Sequence, residues 1–379
     1  MASIKKRELP SGNIAWRARY IDPEGQEHSK NFDRQKDAKA WLVDVESSMM
    51  DGTWVPPSGG RQTVAVAAAT WLASHPDWTP STRERNESIV KLHINPRWGT
   101  VRLASVQPDA VQQWLNGIEL APGSVRKIAS AFKSILDLAV AHHRLGVNPA
   151  AQLVRPKQPL SQRRYLTGQQ LETMADAAGY WQDLVLTLGY CGLRFGELAA
   201  LRVGNVDLVR RRLNIEASVT EVGGKMEWGA PKTHQRRSVP FPDFLDGPMQ
   251  RRTHGRPADA LVWCTSVGTP LRIGNVRRDW FDAAAKAAGV EGLTPHELRH
   301  TAASLAVAAG ASVLAVQRML GHDKPSTTLD IYSDLFDSEL DDVSARLAET
   351  RAGIMAGIIR ARGQIEGDPQ QCLGTGTSG

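Results

Sequence analysis

The 379 residues are enough for about two to three domains, and 41% hydrophobic with 23% charged residues is the balance of a globular chain, which argues against a disordered or collagen-like one. No apolar run approaches the ~18 residues of a membrane span, and Cys191, Cys264 and Cys372 are too few and too scattered for a disulfide framework or a cysteine-based zinc site. The net charge is +6, but residues 61–165 alone hold 14 Lys and Arg against 6 Asp and Glu, a concentration that suits a polyanionic partner.

The basic start has no apolar stretch behind it, so a signal peptide is not expected and a reducing cytoplasm fits best. Residues 1–55 read as a small unit of strands and one helix. Ile14 to Tyr20 alternates, with Trp16, Ala18 and Tyr20 on one face and Arg17 and Arg19 on the other. Asp22-Pro-Glu-Gly25 is turn chemistry and predicts a hairpin. Asp33 is expected to cap a helix to about Met50, with Ala38, Trp41, Leu42 and Val45 inward. Val55 to Gly60 is a linker by composition.

Residues 62–150 read as all-helical. Apolar residues recur at helical spacing in Val64–Leu72, Ser88–Ile94, Val111–Leu115 and Val125–Val140, and Thr79-Pro-Ser-Thr82 and Pro122-Gly-Ser-Val125 are helix starts. Arg83, Arg85, Lys91, Arg126, Lys127 and Lys133 supply its positive excess. A second, basic linker follows from Pro149, with Arg155, Lys157, Arg163 and Arg164. Residues 165–350 form the largest unit: helical from Thr167 to Arg202, strand-like from Arg212 to Pro242 with a Gly223-Gly224 turn, and helical again from Arg277 to Ala288 and from Pro295 to about Ala348. Residues 351–379 read as a flexible tail.

His296-Glu-Leu-Arg-His300 matches the H-E-x-x-H zinc helix, which opens a zinc hydrolase reading with Glu297 as base. Its context is poor. Ala303 stands where the extended motif has Gly, no Glu lies between Ala302 and Ser338 to serve as third ligand, and Arg299 would put a cation beside the metal.

In wider context the same residues read differently. Gly192-Leu-Arg-Phe-Gly-Glu-Leu-Ala-Ala-Leu201 lies upstream, then Pro231-Lys-Thr-His-Gln-Arg-Arg-Ser-Val-Pro240, and downstream come Leu320-Gly-His322 and Thr327-Thr-Leu-Asp-Ile-Tyr332. The order Arg, Lys, His-x-x-Arg, His, Tyr resembles the tyrosine recombinases, specifically the phage-type integrases, over about residues 165–340. The resemblance implies a mainly α protein with a small β-sheet in three parts: an arm-binding domain (1–55, with the Arg17/Arg19 face in a groove), a helical core-binding domain (62–150) and a catalytic domain (165–350). It implies Arg194, Lys232, His296, Arg299, His322 and the nucleophile Tyr332 as the catalytic set, with Glu197 and His300 in support. It implies double-stranded DNA with core-type and arm-type sites as partner, a homotetramer on DNA, possible bending and excision-directionality proteins, no cofactor, no membrane, and a place on DNA in a bacterial cytoplasm.

Elementary chemistry agrees. Phosphodiester cleavage needs donors for a charged pentavalent transition state, and guanidiniums fork onto phosphate while staying protonated. A tyrosine of pKa ~10 needs a base or a cationic site to ionise near neutrality; His296 can accept its proton and His322 can donate to a non-bridging oxygen. The leaving 5′ oxygen needs an acid, which in the family is the Lys of a β-hairpin; Lys232 takes that place by its Pro231-Lys232-Thr233 context, with Lys225 as competitor and Arg236 and Arg237 nearby. A phosphotyrosyl link keeps the ester energy, and no P-loop or acidic two-metal cluster stands in the sequence. A chromosomal resolvase or transposon recombinase, and a DNA-binding regulator without catalysis, are the other readings within reach of this pattern.

Overall fold

The structure is a computed structural model; it describes residues 2–8, 14–56, 59–158, 164–231, 236–326, 328–329, 332 and 347–359. The chain forms two compact units, 1–161 and 162–379. It is mostly helical, with small antiparallel sheets.

The first unit opens with β1 (Ser3–Glu8), β2 (Ile14–Ile21) and β3 (Glu27–Phe32), an antiparallel sheet in that order with Ser3 opposite Arg19 and Trp16 opposite Phe32. Strand β1 is an addition to the expected hairpin. The turn is held by the Asp22 carboxylate, which accepts the Glu24 and Gln26 N–H groups and lies 2.8 Å from His28 Nε2. Helix α1 (Gln35–Met50) covers one face, burying Ala38 and Leu42 on Ala18 and Tyr20, with Trp16, Phe32 and Trp41 at the margin. Its N-cap position is Arg34, without a side-chain cap, and not the expected Asp33.

The helical part of this unit comprises α2 (Val64–Ala73), α3 (Pro80–Ile89), α4 (Asn95–Trp98), α5 (Pro108–Asn116) and α6 (Pro122–Ala141). Thr79 caps α3 by accepting the Thr82 N–H, and Pro122 opens α6, where a missing N–H does no harm. Helix α3 starts earlier than the apolar spacing suggests, and Val90–Ile94 is a wide π turn that ends where Pro96 removes a backbone donor from the ladder. Trp71, Ile94, Trp98, Leu103 and Phe132 fill the core, with the Trp114 and Phe132 rings 5.2 Å apart.

The second unit begins with α7 (Gly168–Ala177), whose Thr167 and Gln170 make a reciprocal capping box. Helix α8 (Gln182–Cys191) is buried almost along its length. It ends at Gly192, whose φ of +67° closes the helix in the left-handed region and whose α-carbon faces Leu320 so closely that a Cβ would lie 2.8 Å from it. Helix α9 (Phe195–Ala199) follows at once. Strands β4 (Val206–Asp207), β5 (Arg212–Ile215) and β8 (Arg237–Pro240) form one sheet, while β6 (Ser218–Val222) and β7 (Lys225–Gly229) form a hairpin across Gly223-Gly224. Then come α10 (Asp246–Thr253), the continuous helical stretch from α11 (Ile273–Val276) to α12 (Asp282–Ala287), α13 (Pro295–Ala308) and α14 (Val313–Leu320). Leu188, Leu213, Val239, Trp263, Phe281 and Leu298 belong to its core. Residues 347–359 are helical and exposed, which corrects the tail expected from 351.

Candidate active site

Two glycine breaks and one helix of the second unit bring the site together. The Gly192 turn delivers Arg194 to the N-cap of α9, where its N–H donates to Glu197 Oε2 at 2.9 Å and its Nη1 to Glu197 Oε1 at 2.9 Å. Helix α13 carries Arg299 on its buried face, donating Nη1 to the Gly192 carbonyl at 2.6 Å and Nη2 to the Leu320 carbonyl. The left-handed Gly321 ends α14 and sets His322 beside Thr328, with Nδ1 2.9 Å from Oγ1.

Glu197 organises the cluster. Its side chain has no exposed surface, and beside Arg194 it accepts both terminal nitrogens of Arg237, at 2.9 and 2.6 Å. Burial alone would push this carboxyl up; the Arg237 hydrogen bond and charge, with Arg194, outweigh it and hold the group at about 2. Arg237 also donates Nε to the Met319 carbonyl and lies over Gly321, where a Cβ would meet its side chain at 2.8 Å. Sequence reasoning noted Arg237 only as a neighbour of Lys232. The paired Arg236-Arg237 gave no sign of which faces inward; the strand register does, since Ile215 lies opposite Arg237.

Burial, then the charge of Arg194, presses the Arg299 cation downward. Burial, then Arg299 and Arg194, lowers His322 to about 4, so its ring is neutral near pH 7. Tyr332 is 1% exposed. Its ring is nearly parallel to that of His322 at 6.4 Å, and its hydroxyl lies 2.8 Å from His300 Nδ1. His296 is exposed on the same helix, its ring 4.9 Å from that of His300. The ring that meets the tyrosine hydroxyl is therefore His300, one helical turn beyond the expected His296. Lys232 and Arg163 lie outside the described residues.

The zinc reading meets a different use of its central carboxylate. Glu297 accepts the Thr294 N–H and hydroxyl as the third residue of α13, completing a capping box with Thr294, and pairs with Arg164 at 3.3 Å. Among the described residues no group of three His, Cys, Asp or Glu is placed to hold a metal.

Three family descriptions match along the chain: "Phage integrase, N-terminal domain" over residues 5–51, "Phage integrase central domain" over 64–155 and "Phage integrase family" over 164–339. The chain belongs to the phage integrase family. It is thereby a tyrosine recombinase of the site-specific kind. This integrase is 27% identical over 340 residues to the putative prophage phiRv2 integrase of Mycobacterium tuberculosis, covering 85% of this chain and 89% of that one. It is 27% identical over 368 residues to an integrase of Streptomyces ambofaciens, covering 86% and 93%. Among solved structures, the transposon Tn1549 integrase with transposon right-end DNA superposes with a TM-score of 0.63 at 20% identity, over 75% of this chain and all of that one. The lambda integrase tetramer on a Holliday junction gives 0.58 at 20% identity, over 84% and 96%; these two show the fold.

The basic residues of the integrase's first unit divide into two kinds. Arg83 donates to the Leu72 and His75 carbonyls, Arg126 to the Pro156 carbonyl, and Lys133 to Asp137, so all three are engaged in the fold. Arg85, Lys91, Lys127 and Lys157 are exposed and Arg155 is half-buried. Arg85 and Lys127 flank a hollow of about 240 Å³ with Ser88, His93, Leu120 and Ser124. On β2, Arg17 donates to Ser29 and Arg19 pairs with Glu27. In the second unit Arg164 donates to the Glu291 and Gly292 carbonyls as well as Glu297.

Proposed function

We propose that this integrase cuts and rejoins double-stranded DNA at attachment sites through a 3′-phosphotyrosyl intermediate, and so inserts phage or mobile-element DNA. The observation that carries the reading is the Tyr332 hydroxyl held in a pocket where Arg194 and Arg237 pair with one carboxylate, Glu197, beside Arg299, which is held by two backbone carbonyls. The surplus of positive charge there suits a phosphodiester and the further charge of its transition state. Arg194, at the rim with 22% of its side chain exposed, and Arg299 donate to the phosphate. In the tautomer whose Nδ1 accepts from Thr328, neutral His322 keeps Nε2–H to donate to a non-bridging oxygen. Lys232 protonates the departing 5′ oxygen. Tyr332 and Arg299 are both covered, at 1% and 2% exposure, so engaging DNA includes uncovering them.

Arg85, Lys91, Lys127, Arg155 and Lys157 bind the core-site backbone, and the β2 face with Arg17 and Arg19 reads arm-type sites, since a major groove admits a sheet. Strand exchange between two duplexes takes four protomers. Accessory bending and directionality proteins act on the same DNA.

The test is covalent trapping. The protein is incubated with candidate phage and host attachment-site DNA in excess EDTA without nucleotide, and stopped with SDS. A DNA-linked band that Tyr332→Phe abolishes is expected; no band with wild-type protein overturns the reading. A protein lacking residues 1–60 should keep the band and lose arm-site binding.

A further inference from the structure

We infer that His300, and not His296, takes the proton from the Tyr332 hydroxyl when the phosphotyrosyl bond forms; the inference rests on the proposed phosphotyrosyl chemistry and assigns a residue to one of its steps. A general base must lie within hydrogen-bond reach of the proton it removes, about 2.6–3.2 Å between heavy atoms. His300 Nδ1 is at 2.8 Å.

The neighbouring histidines are placed for other work. His322 already uses Nδ1 on Thr328, and its ring stands face to face with the phenol at an interplanar angle of 9°. Burial and Arg299 hold it at about 4, too weak a base near neutrality. His296 is exposed, its ring 4.9 Å from that of His300 and nearly perpendicular to it. Helical spacing sets His296 and His300 on one face of α13, and His300 lies between the exposed His296 and the buried tyrosine. The role of base requires the His300 tautomer that carries its proton on Nε2, leaving the Nδ1 lone pair for the phenol.

The step balances. The Tyr332 oxygen forms a bond to phosphorus while its proton passes to His300 Nδ1, giving an imidazolium. The bond from phosphorus to the 5′ oxygen breaks, and that oxygen takes a proton from Lys232. Rejoining runs the same transfers backward, with the imidazolium returning its proton to the phenolate. No oxidant, nucleotide or metal enters the balance. Among the described residues, the titratable and charged groups around His300 include its helix neighbour His296, Tyr332, the Arg299 cation that acts on Tyr332, and His322, whose protonated form His300 disfavours.

The experiment measures single-turnover formation of the SDS-stable adduct on attachment-site DNA for the wild type, His300→Ala, His300→Asn and His296→Ala, each checked for a wild-type urea midpoint. His300→Ala is expected to slow the adduct ~10²–10⁴-fold, the usual contribution of a general base, and His296→Ala less than about tenfold. His300→Asn, which can meet the hydroxyl but not hold its proton, stays slow. Placing a fluorinated tyrosine of lower pKa at position 332 narrows the gap between His300→Ala and wild type, because an easily ionised phenol needs less help; a packing role would not give that rescue. Wild-type speed in His300→Ala, full recovery in His300→Asn, no narrowing by the fluorinated tyrosine, or a larger loss in His296→Ala each overturns the assignment. Absence of any adduct in the wild type overturns instead the phosphotyrosyl reading on which it stands.

Discussion

Replacing Glu197 by Gln keeps the shape of the side chain and removes the charge that Arg194 and Arg237 share. The carboxyl is held at about 2 against an ordinary 4.5, and with each tenfold in an equilibrium constant at ~1.4 kcal/mol, the fold prefers the carboxylate to the acid by about 3 kcal/mol. Removing one partner of a buried ion pair typically destabilises by ~3–5 kcal/mol, because the remaining charge is left uncompensated, and the two figures agree. A depressed carboxyl stabilises the fold above its unfolded pKa and loses that contribution as pH falls toward the folded value. The stability gap between wild type and Glu197→Gln should therefore be about 3 kcal/mol at pH 7 and shrink to roughly half by pH 3. Urea unfolding followed by hydrogen exchange on peptides from the second unit reads this without interference from the first. Equal midpoints at pH 7, or a gap that does not change with pH, would refute the argument that Glu197 works as a buried charge.

Other outcomes follow from the same contacts. Arg237→Met leaves Glu197 with Arg194 alone, so it should raise the Glu197 pKa and slow covalent trapping while leaving core-site affinity in place; unchanged trapping would remove Arg237 from the site. Lys127→Ala should reduce the slope of log affinity against log salt by about one, whereas Arg83→Ala, whose guanidinium serves two carbonyls, should lower stability and leave that slope alone; filter binding from low to high salt, beside a melting curve, tells them apart. His322 is held near 4 against an unfolded value of about 6.5, so the unfolded chain takes up its proton first as pH falls. The stability advantage of wild type over His322→Asn should then decline between about pH 6.5 and 4, and a constant difference in urea midpoints would contradict the burial of a neutral ring.

Most of the secondary structure could be read in the sequence because its signals are local. Alternation in Ile14–Tyr20, the Thr79 and Thr167 caps, and the Gly223-Gly224 turn each depend on residues within a few positions. The start of α1 could not be read this way, because Asp33 and Arg34 compete over one residue and the sheet against which the helix packs decides. Strand β1, Ser-Ile-Lys-Lys-Arg-Glu, has too much charge to announce itself; pairing with β2 makes it a strand. At the site, the spacing of Arg194, Arg299, His322 and Tyr332 was legible as a pattern. Which histidine meets the phenol was not, since His296 and His300 share a helix face and only the place of Tyr332 in the fold selects one. Arg237 was hidden for a similar reason: its partner Glu197 is 40 residues away.

The arrangement answers a physical difficulty in binding phosphate with buried arginine. Arg299 has 2% exposure and Arg237 8%, and like charges buried together oppose one another. One carboxylate among three guanidiniums lowers that repulsion without cancelling it. Had the site two carboxylates, the net charge of the cluster would fall by half and its pull on an anion with it. With none, the cations would be pressed to lose protons or to splay apart. Glu197 therefore fixes both the geometry and the residual charge. The carbonyls of Gly192 and Leu320 hold Arg299 by dipoles and leave its net charge intact. Each of those carbonyls belongs to a helix end beside a left-handed glycine, Gly192 itself after α8 and Gly321 after Leu320. The turns that break the helices are thus also the groups that orient the cation, and an alanine at either glycine should disturb the Arg299 site before it disturbs the helices.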